Sequence, residues 1–183
     1  MAHRALVAYE RSDGTYDLHY SHWGGEYLEL ARTITSATPY GAYPGPSRTS
    51  VDPDPIATTL AFDVIITGYV DFLTHEAVYT VSRSFEVTPY RTLWFDLEYD
   101  SDAAGPSPTI GYGALVAVAP PDPFEDGAIL GRFRGTKDVL SDLLDRGIIS
   151  EREATAWLDR YIRSWRLDGY EVIFGNAVSE RDR

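Results

Sequence analysis

Residues 5–10, Ala-Leu-Val-Ala-Tyr-Glu, form a short apolar run, and residues 16–20, Tyr-Asp-Leu-His-Tyr, form a second with polar positions interleaved. Between them stands Ser12-Asp13-Gly14-Thr15. Asp-Gly between two strand-like runs predicts a β-hairpin, because Gly tolerates positive φ at the turn. Trp23-Gly24-Gly25 ends the hairpin. Leu28, Ala31 and Arg32 then fall at helical spacing, which predicts a short helix over 26–33.

Residues 35–55 hold Pro39, Pro44, Pro46, Pro53 and Pro55 with Gly41 and Gly45, the composition of a long loop. Asp54-Pro55 reads as an N-cap followed by Pro at the first helical position. Ile65, Tyr69 and Leu73 recur every fourth residue beside Ile66 and Val70, so a helix is expected over 56–74. The β-branched run 64–67 and Gly68 argue for a strand instead. Strands are predicted over 77–83, 90–99, 111–119 and 128–133. In the second, Leu93, Phe95, Leu97 and Tyr99 alternate with Thr92, Trp94, Asp96 and Glu98. The segment 100–108 is a polar turn, and Pro120-Pro121-Asp122-Pro123 breaks the chain.

The last third turns helical. Thr136 is placed to cap a helix carrying Val139, Leu140, Leu143 and Leu144, stopped by Gly147. Ser150-Glu151-Arg152-Glu153 has the form of a capping box. It opens a helix whose Ala154, Trp157, Leu158, Tyr161, Ile162 and Trp165 make one apolar stripe. A final strand is expected over 170–174, then a polar tail. Strands first and helices late predict one α+β domain over 1–183: an antiparallel sheet opening on an N-terminal hairpin, packed by a central helix and a helical hairpin over 135–167.

Charge changes the picture. The 183 residues carry 28 Asp and Glu against 16 Lys and Arg, a formal charge of −12, and Lys137 is the single lysine. At about 1 M salt the Debye length falls to roughly 3 Å, so acidic self-repulsion is screened while carboxylates keep the surface hydrated. Arg keeps bidentate pairing with carboxylates through its planar fork, which Lys lacks. The bias predicts a halophilic protein of a salt-rich cytoplasm, whether a cell or a virus encodes it. Without cysteine there are no disulfides, thiolate metal ligands or Cys nucleophiles. No apolar stretch approaches the ~20 residues that span a bilayer. The first residues resemble no signal core, so an intracellular protein is expected.

The opening residues 1–10, residues 17–24 (Asp-Leu-His-Tyr-Ser-His-Trp-Gly), residues 73–77 (Leu-Thr-His-Glu-Ala) and residues 90–95 (Tyr-Arg-Thr-Leu-Trp-Phe) together resemble a family of short haloarchaeal proteins without assigned function. The resemblance spans most of the chain and implies a haloarchaeal or halovirus-type setting. It implies no activity and no functional residue. Separately, residues 143–150 followed by Glu153 are similar to helical hairpins at the C-termini of many prokaryotic proteins, which usually serve oligomerisation or docking.

Three constellations carry candidate chemistry. His19, His22, His75 and Glu76 suffice in type for a divalent transition-metal site with an open position. Residues three apart on a strand point to opposite faces, so His19 and His22 converge only if the strand ends at Tyr20; otherwise these are structural histidines. Arg132, Arg134 and Lys137 form the one locally basic stretch, at the predicted N-terminus of a helix, where backbone N–H groups and the dipole favour a phosphate or carboxylate. The alternative is that neighbouring carboxylates take up these cations. Leu143, Leu144, Trp157, Tyr161 and Trp165 offer an apolar interaction face. Arg160, Arg163 and Arg166 recur every third residue, but net charge and molar salt oppose nucleic-acid binding, and pairing with Glu153 and Asp159 is the simpler role. Trp23, Tyr27, Tyr40 and Tyr43 could line a groove or cap the core.

The leading expectation is a non-enzymatic accessory protein that presents its helical hairpin or sheet edge to itself or to a protein partner, needing no cofactor. The runner-up is a small metal-dependent enzyme or an anion-binding domain using the histidine group or the basic stretch.

Overall fold

The computed structural model describes residues 2–41, 49–97 and 108–176. Seven strands form one mixed sheet: β1 (Arg4–Glu10), β2 (Tyr16–Ser21), β3 (Ala57–Leu60), β4 (His75–Val81), β5 (Val87–Trp94), β6 (Gly113–Ala117) and β7 (Val172–Phe174). Their spatial order is β3-β2-β1-β4-β5-β6-β7. Only β1 and β4 run parallel; every other neighbouring pair is antiparallel. The helices are α1 (Leu30–Thr33), α2 (Phe62–Gly68), α3 (Pro123–Asp145) and α4 (Glu151–Ser164), with 3₁₀ turns at Glu26–Leu28 and Trp165–Asp168. The protein is α+β, as its strand and helix patterns imply.

Alternation along the strands divides the core in two. Ala5, Val7, Ala77, Tyr79, Leu93, Phe95, Ala114 and Val116 face α1, α3 and α4. Leu6, Ala8, Leu18, Val78, Tyr90 and Leu115 face Ile65 and Ile66 of α2, with Val70 and Phe72. Successive strand residues point to opposite faces, and both faces are covered, so few polar positions interrupt β1, β4 and β6. The opening hairpin forms as expected, with Gly14 at φ +78° in its turn. The C-terminal signals also hold. Ser150 and Glu153 cap α4 reciprocally. Gly147, at φ +66°, ends α3 with its N–H on the Leu144 carbonyl while the Ile148 N–H reaches that of Leu143.

Two expectations are corrected. The helix over 56–74 is a strand followed by one short helix: Ala57 and Leu60 pair with Leu18 and Tyr16 of β2, and α2 covers only Phe62–Gly68. Asp54-Pro55 starts no helix. The strand over 128–133 is instead the second and third turns of α3, which begins at Pro123, not at Thr136. Asp122 accepts a hydrogen bond from the Phe124 N–H and Pro123 takes the first helical position. The apolar run Ala128-Ile129-Leu130 has no strand partner because Ile129 and Phe133, one helical turn apart, both bury against the main core. The helical hairpin therefore starts at residue 123, and α3 is 23 residues long. The expectations for Tyr43, Glu98, Tyr99, the turn over 100–107 and the C-terminal tail lie outside the described residues.

Candidate functional site

Helix α3 is held against the sheet by a buried ion pair. Arg91 of β5, 4% exposed, donates from Nε and Nη2 to the two carboxylate oxygens of Asp126 at 2.6 and 2.5 Å. Its Nη1 donates to the carbonyls of Gly25 and Glu76, each at 3.1 Å. The chain passes β1 and β4 so closely at Gly25 that a Cβ there would lie 2.9 Å from the Glu76 Cβ and 3.0 Å from the Arg4 carbonyl. Glycine thus brings its carbonyl onto Arg91. The guanidinium joins the first turn of α3, two strands and the 3₁₀ segment. Its fork is nearly filled by protein acceptors, which makes it a fastener for the helix.

From that anchor, α3 turns two different flanks outward. One flank closes a cavity of about 580 Å³ against the start of β4 and the end of β5. Leu130, Phe133, Arg134, Lys137, Asp138 and Ser141 line it from α3, and His75, Glu76, Thr92 and Trp94 line it from the sheet, with His3 at its rim. The Lys137 ammonium lies 5.6 Å from the Trp94 ring centre and 5.8 Å from that of Phe133. Glu76 holds His3, Oε2 to Nδ1 at 2.9 Å. The Asp71 N–H donates to His75 Nδ1 at 3.0 Å, so the neutral imidazole carries its hydrogen on Nε2. Burial holds this imidazole below the usual histidine range; Asp71 opposes the effect and Arg4 adds to it.

The other flank forms an apolar groove of about 670 Å³ with α4. Gly131 and Gly135 make part of its wall, and Val139, Leu140, Leu143, Ile149 and Trp157 supply apolar surface. Val139 is 60% exposed and Trp157 43% exposed. Trp157 stacks on Tyr161 with ring centres 5.0 Å apart.

The histidines of the expected metal site do not converge. His19 lies on the sheet face of Tyr9, its Nδ1 donating to the Asp52 carbonyl at 2.9 Å between the rings of Tyr9 and Tyr40. His22 is exposed beside Tyr20 and Trp23, and the His75 ring centre lies 6.5 Å from that of Tyr20. Among the described residues no group of three or more His, Asp or Glu is placed to hold a metal ion. The basic stretch is corrected too: it sits in the middle of α3, so no helix N-terminus faces it. The helix also splits it. Arg132 lies on the groove side, donating to the Tyr161 hydroxyl at 2.8 Å and to Asp168 at 3.0 Å, while Arg134 and Lys137 enter the cavity.

Of the expected interaction residues, Leu143 and Trp157 line the groove, Tyr161 backs Trp157, and Leu144 packs partly buried on the main core. Trp165 is fully buried and belongs to that core. Arg163 pairs with Asp159 and lies 4.0 Å over Phe174, and Arg166 donates to the Val172 carbonyl. They cover the β7 edge instead of forming a basic stripe. His3 and Thr92, which complete the cavity, carry no sequence signal, since neither belongs to a motif.

A model of a family of unknown function, DUF6735, matches residues 1–50 and 44–174. The chain belongs to the DUF6735 family. No curated protein and no solved structure matches it. Among the described residues, no helix is long and apolar enough to cross a membrane.

Proposed function

We propose that this DUF6735 chain is a non-enzymatic accessory protein that works by helix docking, and that the α3–α4 groove is its docking face. A second copy of the chain is the occupant that the groove fits. The observation that carries this is a single row on α3. Gly127, Gly131, Gly135, Val139 and Leu143 succeed one another at four-residue spacing, which forms one ridge of a helix surface. A Cβ added at any of the three glycines would meet nothing within 4 Å. Each costs about 1 kcal/mol of helix stability relative to Ala, and among the described residues nothing packs against them to account for it.

The row is self-complementary. Its first half is notches and its second half is knobs. An antiparallel copy with the two-fold axis at Gly135 sets Val139 of each chain beside Gly131 of the other. An isologous interface requires this match of a surface to itself. Packing of four-residue ridges from both helices crosses them at about −50°, which brings Trp157 of α4 alongside.

The charge of −12 makes association conditional. Two such chains repel in dilute buffer and are screened in concentrated salt, where apolar burial is undiminished. Surface ion pairs Arg11–Asp17, Arg132–Asp168, Arg146–Asp142 and Arg163–Asp159 all use Arg. They support a halophilic, cytoplasmic protein of the haloarchaeal type that the sequence resembles. Light scattering in about 2 M KCl tests the proposal; a two-chain mass is expected, reduced to one chain by Val139→Asp with circular dichroism unchanged. A wild type that stays a single chain at every salt concentration removes self-docking.

A further inference from the structure

We propose that the turn joining α2 to β4 is a proton-operated latch, closed while the His75 imidazole is neutral and released when that ring takes up a proton at Nδ1. The latch is independent of the docking groove. It holds Phe72 and Leu73, which line the cavity, and the segment 108–111 that pairs with the turn.

Five hydrogen bonds of this turn converge on Asp71. Its carbonyl accepts from the N–H groups of Thr74 and His75 at 3.2 and 2.8 Å. Its Oδ1 accepts from the N–H groups of Leu73 and Thr74 at 3.0 and 3.2 Å. The fifth runs the other way, from the Asp71 N–H to His75 Nδ1 at 3.0 Å. An imidazole nitrogen accepts only while it is unprotonated. Because Nε2 already carries the hydrogen of the neutral ring, an added proton has only Nδ1 to go to. There it turns the acceptor into a donor that faces another donor, and the part-buried Asp71 N–H loses its partner.

That turn pins a second segment. The Phe72 N–H donates to the Thr109 carbonyl at 2.8 Å and the Gly111 N–H to the Val70 carbonyl at 2.9 Å, with Asp71 and Ile110 bridged between them. Trp94 Nε1–H donates to the Pro108 carbonyl at 3.1 Å. Phe72 is buried, and a Cβ on Gly113 would lie 2.5 Å from its ring, so the ring rests directly on β6. The His75 backbone is held separately, by pairing within the sheet and by the Thr92 hydroxyl on its carbonyl at 2.5 Å. Protonation therefore moves the turn and leaves the strand in place.

Charged and titratable groups surround the ring from every neighbouring element. Arg4 of β1 stands opposite in register, and His3 is bound to Glu76. From β2, the Tyr20 ring centre lies 6.5 Å away, with His22 beside it. Arg91 of β5 is bound to Asp126, and Arg134, Lys137 and Asp138 of α3 share the cavity lining. Burial disfavours the imidazolium most; Asp71 opposes this and Arg4 adds to it, so the closed latch holds His75 below the usual histidine range. Opening restores the ring to water and to an ordinary value of about 6.5, so acid favours the open form.

Amide hydrogen exchange followed by NMR from pH 8 to pH 5 in about 2 M KCl, with intrinsic rates divided out, tests the latch. Protection of the Asp71, Phe72 and Gly111 amides should be constant above about pH 6.5. Below it, protection should fall by up to about tenfold per pH unit, the value for one proton taken up on opening. Amides of β1, in the middle of the sheet, should stay better protected throughout. His75→Asn places a carbonyl oxygen that does not titrate where Nδ1 stood, and should remove the fall. Should that variant fail to fold, the wild-type ring protons replace it, and are expected to titrate over the same pH range in which the amides lose protection. A ring that titrates while Asp71 protection stays unchanged overturns the proposal. So does a fall that persists in folded His75→Asn, or exchange of the latch amides in step with those of β1.

Discussion

The two flanks of α3 are built from the same helix and differ in what they present. On the cavity flank, charged and aromatic groups are gathered by tertiary structure: Arg134 and Lys137 meet Trp94 and His75 only because Arg91 locks Asp126 to the sheet. On the groove flank, Arg132, Thr136, Glu153 and Arg160 stand around an apolar floor. Glycines leave room, Val139 and Trp157 stay half in solvent, and α4 supplies the far wall. The second flank is the face proposed to dock a copy of the chain. One helix serves both because its residues fan out every 100°, so 134 and 137 point away from 135 and 139.

The largest expected effect lies at the joint between the flanks. Asp126→Ala leaves the Arg91 charge buried without a partner and should cost about 3–5 kcal/mol, read by denaturant titration in high salt. Val139→Asp, on the exposed groove, should change monomer stability by no more than about 0.5 kcal/mol while abolishing association. If both variants unfold alike, the groove residue is structural and the contrast between the flanks fails.

Next come the glycines, where the sign is the test. Gly131→Ala should stabilise the isolated chain by about 1 kcal/mol through helix propensity and weaken association at the same time. A variant that associates as well as the wild type would show the notch to be unused. Ser150→Ala removes the reciprocal cap of α4 and should cost about 1 kcal/mol, with loss of the far wall of the groove before the cavity. Hydrogen exchange would resolve that order.

The smallest effect is a pH dependence confined to the cavity flank. Burial holds the His75 imidazole below its usual value in the folded protein. The unfolded chain therefore takes up this proton first as pH falls. The stability contribution is intact above about pH 6.5, the ordinary histidine value, and is lost progressively below it. His75→Gln should flatten the difference in unfolding free energy between pH 8 and pH 5.5.

What could be read from the chain divides along the same lines. The opening hairpin, the alternation of Leu93 with Phe95, the capping box at Ser150 and the stop at Gly147 are local, and each has one physical reading. Asp-Pro has two. At Asp54-Pro55 it precedes an edge strand, and at Asp122-Pro123 it opens the longest helix. The pair fixes backbone angles and a capping acceptor but not the type of the next element, and the apolar residues beyond decide by what they bury against. Three glycines spaced by four also depress helix propensity over 127–135, which hides α3 behind an apparent strand. The cavity is out of reach for a different reason. In sequence, His75 and Glu76 suggest metal ligands and Arg134 and Lys137 an anion site, and only the sheet–helix packing places the two pairs in one lining.

Self-docking through the glycine row is tested most directly by a cysteine in a chain that has none. Gly135→Cys puts a thiol at the proposed two-fold axis, where its copy must lie within about 4.4–6.8 Å between Cα atoms to be bridged. Mild oxidation in concentrated KCl should convert this variant to a covalent dimer, with the exposed control Ser36→Cys remaining a single chain. Equal and slow cross-linking of the two variants would contradict the docking of α3 on its own copy.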